Sequence, residues 1–125
     1  MTVVDSVGWL EFFSGGPLAK SYEKHLQPIS EVVAPTIVLY EVYKIMKREK
    51  GEKEATAAAV QMQRGRVVLL TEGISISAAD LSLEHQLSMA DAIVYATTLQ
   101  EGAKLVTSDK ELKDLPQVVY YPRSS

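Results

Sequence analysis

Thr2-Val3-Val4-Asp5-Ser6 decides the fold. It is a short apolar run that reads as a buried strand, ended by a carboxylate, with a helix starting at Ser6. The same pattern returns near the end of the chain, where Leu105-Val106-Thr107-Ser108-Asp109 places an acid just past another apolar run. Two further acids lie in apolar surroundings. Glu41 sits within Ile37-Val38-Leu39-Tyr40-Glu41-Val42-Tyr43, and Asp91 within Met89-Ala90-Asp91-Ala92-Ile93-Val94-Tyr95-Ala96. A carboxylate flanked by apolar residues is costly to bury unless something positive compensates it. Along the sequence only Lys110 adjoins any of these acids. A bound hard cation is the economical explanation, and oxygen ligands converging on one point suit magnesium or manganese.

Working outward from the first strand, the helix from Ser6 meets a strong stop at Ser14-Gly15-Gly16-Pro17. Leu18 to Leu26 reads as a second helix and Glu31-Val32-Val33-Ala34 as a strand ended by Pro35. Thr36 opens a helix that runs to Lys50 and is closed by Gly51, with Val38, Val42, Ile45 and Met46 as its buried face. Glu52 to Arg64, rich in alanine and glutamine, is a further helix, and Arg66 to Leu70 a strand. Ser77-Ala78-Ala79-Asp80 and Ser88-Met89-Ala90-Asp91 match the capping-box pattern and predict the starts of two successive helices, the second ended by Gly102. Strands follow at Lys104 to Thr107 and Val118 to Tyr121. Five short apolar strands separated by helices predict one α/β domain over residues 1–125, with a mostly parallel five-stranded sheet flanked by helices on both faces.

Composition narrows the function classes. The chain has 125 residues, 46% of them hydrophobic, enough for a core without disulfides. The absence of cysteine excludes a thiol nucleophile, a cysteine-ligated zinc and a disulfide framework. No signal peptide or membrane-length apolar run is visible, so a soluble, cytoplasmic protein is expected. A net charge of −3 argues against nucleic-acid binding by bulk charge, so any such contact needs a local basic patch.

Ligands of open parallel sheets bind beyond the carboxyl ends of the strands. Asp5, Asp109 and Glu41 map to that edge. Asp91 joins them only if its helix also starts there. Each acid has a bland reading as well: Asp5 as a helix cap, Asp91 as a member of a capping box, Asp109 as a turn residue, Glu41 as a solvated helix position. Their joint placement favours a shared site. His25 and His85 read as surface or satisfied histidines.

The segments Val3-Val4-Asp5-Ser6, Leu39-Tyr40-Glu41-Val42, Ala90-Asp91-Ala92-Ile93-Val94-Tyr95-Ala96 and Leu105-Val106-Thr107-Ser108-Asp109 resemble, in order and spacing, those of the PIN-domain nucleases, especially the small VapC-type toxins. The resemblance spans the whole chain. It implies a magnesium- or manganese-dependent ribonuclease with Asp5, Glu41, Asp91 and Asp109 as an acidic quartet. Ser6 and Thr107 would be its hydroxyl-bearing neighbours. It further implies a homodimer, with Leu10, Phe12, Phe13, Tyr40 and Tyr43 as apolar candidates for the contact, and a VapB-like antitoxin whose segment enters the acidic cleft. Many relatives carry an acid and then phenylalanine after the fourth acid; here Glu111 and Leu112 follow, which leaves Glu111 an accessory.

For RNA, Lys44 and Arg48 fall at i+3 and i+7 from Glu41, with Lys47 bordering that stripe. A solvated face offset by Glu49 and Glu52 reads equally well. A dehalogenase-type phosphatase would need an aspartate at position 7, where Val7 stands. A receiver domain wants a phosphorylated aspartate after the strand around Val67 to Leu70, and Thr71-Glu72 follows instead. Two alternatives keep the fold: a non-catalytic RNA- or protein-binding module, and an RNA-processing nuclease that is not a toxin.

Overall fold

A computed structural model describes residues 1–123 of the chain, so the last two positions of the 1–125 domain reading lie outside the described residues. Five strands, β1 (Thr2–Val4), β2 (Val32–Pro35), β3 (Arg66–Val68), β4 (Lys104–Thr107) and β5 (Val118–Tyr120), form one sheet in the order β3-β2-β1-β4-β5. Every pairing is parallel. The sequence expectation of a mostly parallel sheet is therefore met in full. Central strands of such a sheet are covered on both faces, and Val3, Val4, Val32, Val33, Leu105 and Val106 are all completely buried.

Among the described residues six α-helices connect the strands: α1 (Ser6–Ser14), α2 (Ala19–Glu23), α3 (Thr36–Lys50), α4 (Glu52–Met62), α5 (Glu72–His85) and α6 (Met89–Gln100). From β1 the chain steps to β2 and then β3, moving one way across the sheet; from β3 it returns to β4 and moves on to β5, the other way. Right-handed crossovers then put α1 to α4 on one face and α5 and α6 on the other. Packing within each group agrees, with α1 against α2 and α3, α3 against α4, and α5 against α6, while α3 also meets α6.

Several boundaries differ from expectation. Helix α2 is shorter than Leu18 to Leu26, because Ala19–Glu23 gives way to turns at His25 and Leu26. A 3-10 turn over Ile29–Glu31 precedes β2, whose last residue is Pro35. Ser77-Ala78-Ala79-Asp80 does not open a helix. It lies inside α5, which starts earlier because the Thr71 hydroxyl accepts the Ile74 amide at 3.2 Å and Ile74 is buried. Ser88 does cap α6, accepting from the Asp91 amide at 3.4 Å. On α3, Val38, Val42 and Met46 are buried, whereas Ile45 is only partly so. Leu10, Phe12, Phe13 and Tyr43 pack partly against the chain's own core, which weakens them as a dimer surface; Tyr40 is 58% exposed. No helix among the described residues is long and apolar enough to cross a membrane.

Candidate active site

Strands β1 and β4 are neighbours whose chains leave in opposite directions, so a crevice opens beyond their carboxyl ends. Asp5 follows β1 directly. Its amide donates to the Val106 carbonyl at 3.0 Å, extending the β1–β4 ladder by one residue and fixing Asp5 against the strand that leads to Asp109. Helix α6 packs against α5 and leads within a few residues into the amino end of β4, which runs parallel to β1, so α6 starts at the carboxyl edge and carries Asp91 there. The condition on Asp91 is thus met by the direction of α6, and Asp91 meets Asp109 there.

Asp5 is only 5% exposed. One carboxylate oxygen accepts the Ser6 amide at 2.8 Å and caps α1; the other accepts the Thr107 hydroxyl at 2.8 Å. The same Thr107 oxygen accepts the Asp109 amide at 3.0 Å, so one hydroxyl ties the two loops together. Burial pushes the Asp5 carboxyl above its usual range, while the bonds from Thr107 and Ser6 oppose that rise and the charge of Asp109 adds to it.

Asp91, Asp109 and Glu111 each place a carboxylate oxygen within 4.8 Å of the others. Asp91 is pushed up to about 8, first by burial, then by hydrogen bonds to Asp109 that only its protonated form makes, and by the charges of Asp109 and Asp5. Asp109 also accepts the Glu111 amide at 2.9 Å, starting the 3-10 turn Lys110–Leu112 that brings Glu111 back to the cluster. Glu41 is half-buried on α3, on the Ser6 side of Asp5. Burial and the Asp5 charge raise its carboxyl, and the Ser6 side chain counteracts them.

The structure therefore brings all four acids to one crevice, tightly for Asp91 and Asp109, with Asp5 adjoining them and Glu41 beside Asp5. Glu111, an accessory in the sequence reading, belongs to the tight cluster. Its signal was the Asp109 cap, which curls the chain within two residues. Along the sequence only Lys110 adjoins the acids, but in the fold the charge of Arg123, in the segment after β5, also acts on Asp5. Distance in sequence hid it. The donor set is all oxygen and over-supplied with negative charge, which suits a hard divalent cation. His25 is bonded to Tyr121 and His85 lies by Glu84 and Tyr95, away from these roles.

Lys44, Lys47 and Arg48 rim an apolar groove of about 650 Å³ between α3 and α4, floored by Leu39, Tyr40, Tyr43 and Ala59. The Lys44 and Lys47 ammonium groups stand over the Tyr40 and Tyr43 rings at 5.6 and 5.7 Å. Lys47 also approaches Glu52 at 3.6 Å, and Arg48 approaches Glu49 at 3.4 Å. The three cations thus lie on the helix of Glu41, two of them already near acids.

The fold is shared with solved structures. A toxin–antitoxin complex from Klebsiella pneumoniae matches at a TM-score of 0.84 and 23% identity, covering 98% of this chain and 100% of that one. VapC20 of Mycobacterium tuberculosis, described as a Sarcin-Ricin loop cleaving toxin, matches at 0.72 and 21%, covering 84% and 87%. VapBC2 of Rickettsia felis, bound to a DNA fragment from its promoter, matches at 0.76 and 16%, covering 97% of each chain. At these identities the likeness is one of fold. No curated protein matches the sequence significantly. The PIN domain family model matches residues 2–118, nearly the whole chain, and the protein belongs to the PIN domain family.

Proposed function

We propose that this single-domain protein is a magnesium- or manganese-dependent endoribonuclease, the toxin of a VapBC-type pair. The observation that carries the reading is the all-carboxylate crevice at the switch point, where Asp91 is driven up to about 8 by burial and by its acidic neighbours. Such a site is unfavourable as it stands and is relieved by a divalent cation. Asp5, Asp91 and Asp109 would hold the ion, with Glu41 and Glu111 flanking them, and Ser6 and Thr107 keeping the carboxylates oriented. A cation there supplies charge relief to a phosphodiester and acidifies a water for attack. The protein's own part is to gather the carboxylates and hold them oriented, so that a cation can take the place of the protons they would otherwise keep.

Lys44, Lys47 and Arg48 are assigned to RNA phosphates, as the cations on the Glu41 helix. The apolar groove they rim suits an amphipathic segment of a VapB-like antitoxin, whose arginine would pair with the freed carboxylates. A homodimer and a cytoplasmic location complete the reading, on the resemblance to VapC toxins.

Incubating purified protein with single-stranded RNA tests the central claim. Cleavage is expected with magnesium or manganese, leaving 5′-phosphate and 3′-hydroxyl ends. Persistent cleavage in excess chelator would sink the mechanism. A short adjacent reading frame encoding a DNA-binding antitoxin would separate a toxin from an RNA-processing nuclease.

A further inference from the structure

The turn that presents Asp109 is tethered by residues distant in sequence. At Thr107 the carbonyl accepts the Tyr121 amide at 2.9 Å, which continues the β4–β5 pairing beyond Tyr120. At the next residue the side chain turns to the opposite side, as extended backbone requires. Ser108 is 6% exposed, and its hydroxyl is hydrogen-bonded to the hydroxyl of Tyr22 on α2, 86 positions earlier.

Tyr22 is fully buried. Its ring passes α1 at Gly8, where an added Cβ would overlap both that ring and the Val4 side chain. Its edge meets the Tyr121 ring at 5.5 Å between centroids, and the Tyr121 hydroxyl lies 2.8 Å from His25 Nε2. Phenylalanine at 22 and alanine at 108 would fill nearly the same space without burying polar atoms. A hydrogen-bonded pair in that position contributes little net stability compared with an apolar pair of the same shape. What it does contribute is direction. Burial pushes the Tyr22 phenol up to about 12, so it keeps its proton throughout the neutral range. Through that bond Ser108 is fixed in one orientation, and its neighbours in the turn are Thr107, which holds Asp5, and Asp109.

We propose that Tyr22 is a positioning residue of the acidic site: its hydroxyl, through Ser108, fixes the turn that presents Asp109 and the Thr107 hydroxyl to a divalent cation. The inference rests on the reading of this crevice as a metal site.

Three variants test it: Tyr22→Phe, Ser108→Ala and the two combined. Manganese binding is measured by calorimetry, alongside melting of the metal-free proteins and the metal dependence of RNA cleavage. Each variant should weaken manganese binding about tenfold, the usual scale for losing an orienting partner behind the ligands. Half-saturating manganese for cleavage should rise with it, while kcat at saturating metal stays within about twofold. The double variant should bind manganese no worse than the single ones, since all remove the same bond. It should also melt higher than Tyr22→Phe, because no buried hydroxyl is left unpaired. Ser108→Ala leaves the Tyr22 ring in place and reports on the same bond if Tyr22→Phe fails to fold. Wild-type manganese affinity in the variants, whatever their melting temperatures, overturns the proposal and leaves Tyr22 a packing residue. If the wild-type protein binds no manganese, the metal reading itself fails, and this proposal with it.

Discussion

Buried Asp5 and half-buried Asp91 at the crevice have opposite relations to the fold. Asp5 spends both oxygens on structure, one on the Ser6 amide and one on the Thr107 hydroxyl. Asp91 spends its side chain facing other acids. Removing Asp5 therefore removes a helix cap and a buried bond, and Asp5→Ala should cost about 1–2 kcal/mol in urea unfolding of the metal-free protein. Asp91→Asn should leave that stability unchanged or higher, since it relieves repulsion within the cluster. Both should abolish cleavage. Equal losses of stability in the two variants would show that charge relief does not govern Asp91. Thr107 isolates the linking hydroxyl. Thr107→Val keeps the shape but strands both Asp5 and the Asp109 amide, at about 1–3 kcal/mol, and it should weaken metal binding as well.

At the scale of elements, Gly8 shows two effects competing. A glycine inside a helix is disfavoured relative to alanine by about 1 kcal/mol, so on sequence grounds Gly8→Ala should stabilise α1. The structure reverses the sign. The new Cβ would meet the Tyr22 ring, pinned by Ser108, and Val4 in the central strand, neither of which is a flexible side-chain end. Overpacking of this kind costs about 1–3 kcal/mol, and a net loss in urea unfolding is expected. The start of α5 gives a paired check: Thr71→Ala should cost about 1 kcal/mol and Ser77→Ala little, because Thr71 caps the helix and Ser77 lies inside it. Strands were legible because Val3-Val4 and Leu105-Val106 are apolar without alternation, as sheets covered on both faces require. The α5 start was not, since the Ser77–Asp80 spacing imitates a cap. At the site, the acids could be picked out one by one from their apolar settings. The Thr107 link between Asp5 and Asp109, the Tyr22–Ser108 bond and the approach of Arg123 depend on β4 lying between β1 and β5, a non-local pairing no short segment encodes.

The whole molecule pays for its site through pH. The crevice gathers acids from the exits of β1 and β4, the second turn of α3 and the first turn of α6, so its electrostatic strain is spread over four elements. Asp91 is raised from 3.8 to about 8, and Asp5 and Glu41 are raised too. A carboxyl whose folded value is raised binds more protons in the native state than in the unfolded one. The stability it contributes is present below the unfolded value, near 4, and is lost as pH rises through the folded value. His25 acts in the opposite sense, being lowered by burial and by Lys104 and Lys24, but its contribution lies at and below its ordinary value of 6.5. Between about pH 7 and 9 the acids should dominate, so the melting temperature of the chelator-treated protein should fall across that range. Magnesium or manganese competes with those protons, so the rise in melting temperature on adding metal should be larger at about pH 8 than at about pH 6. Asp91→Asn should flatten the metal-free profile while leaving the His25 region unchanged. A metal-free melting temperature that stays level or climbs from about pH 7 to 9 would mean the carboxylates are ionised at little cost without a cation, and the main physical ground for a metal at this crevice would be gone.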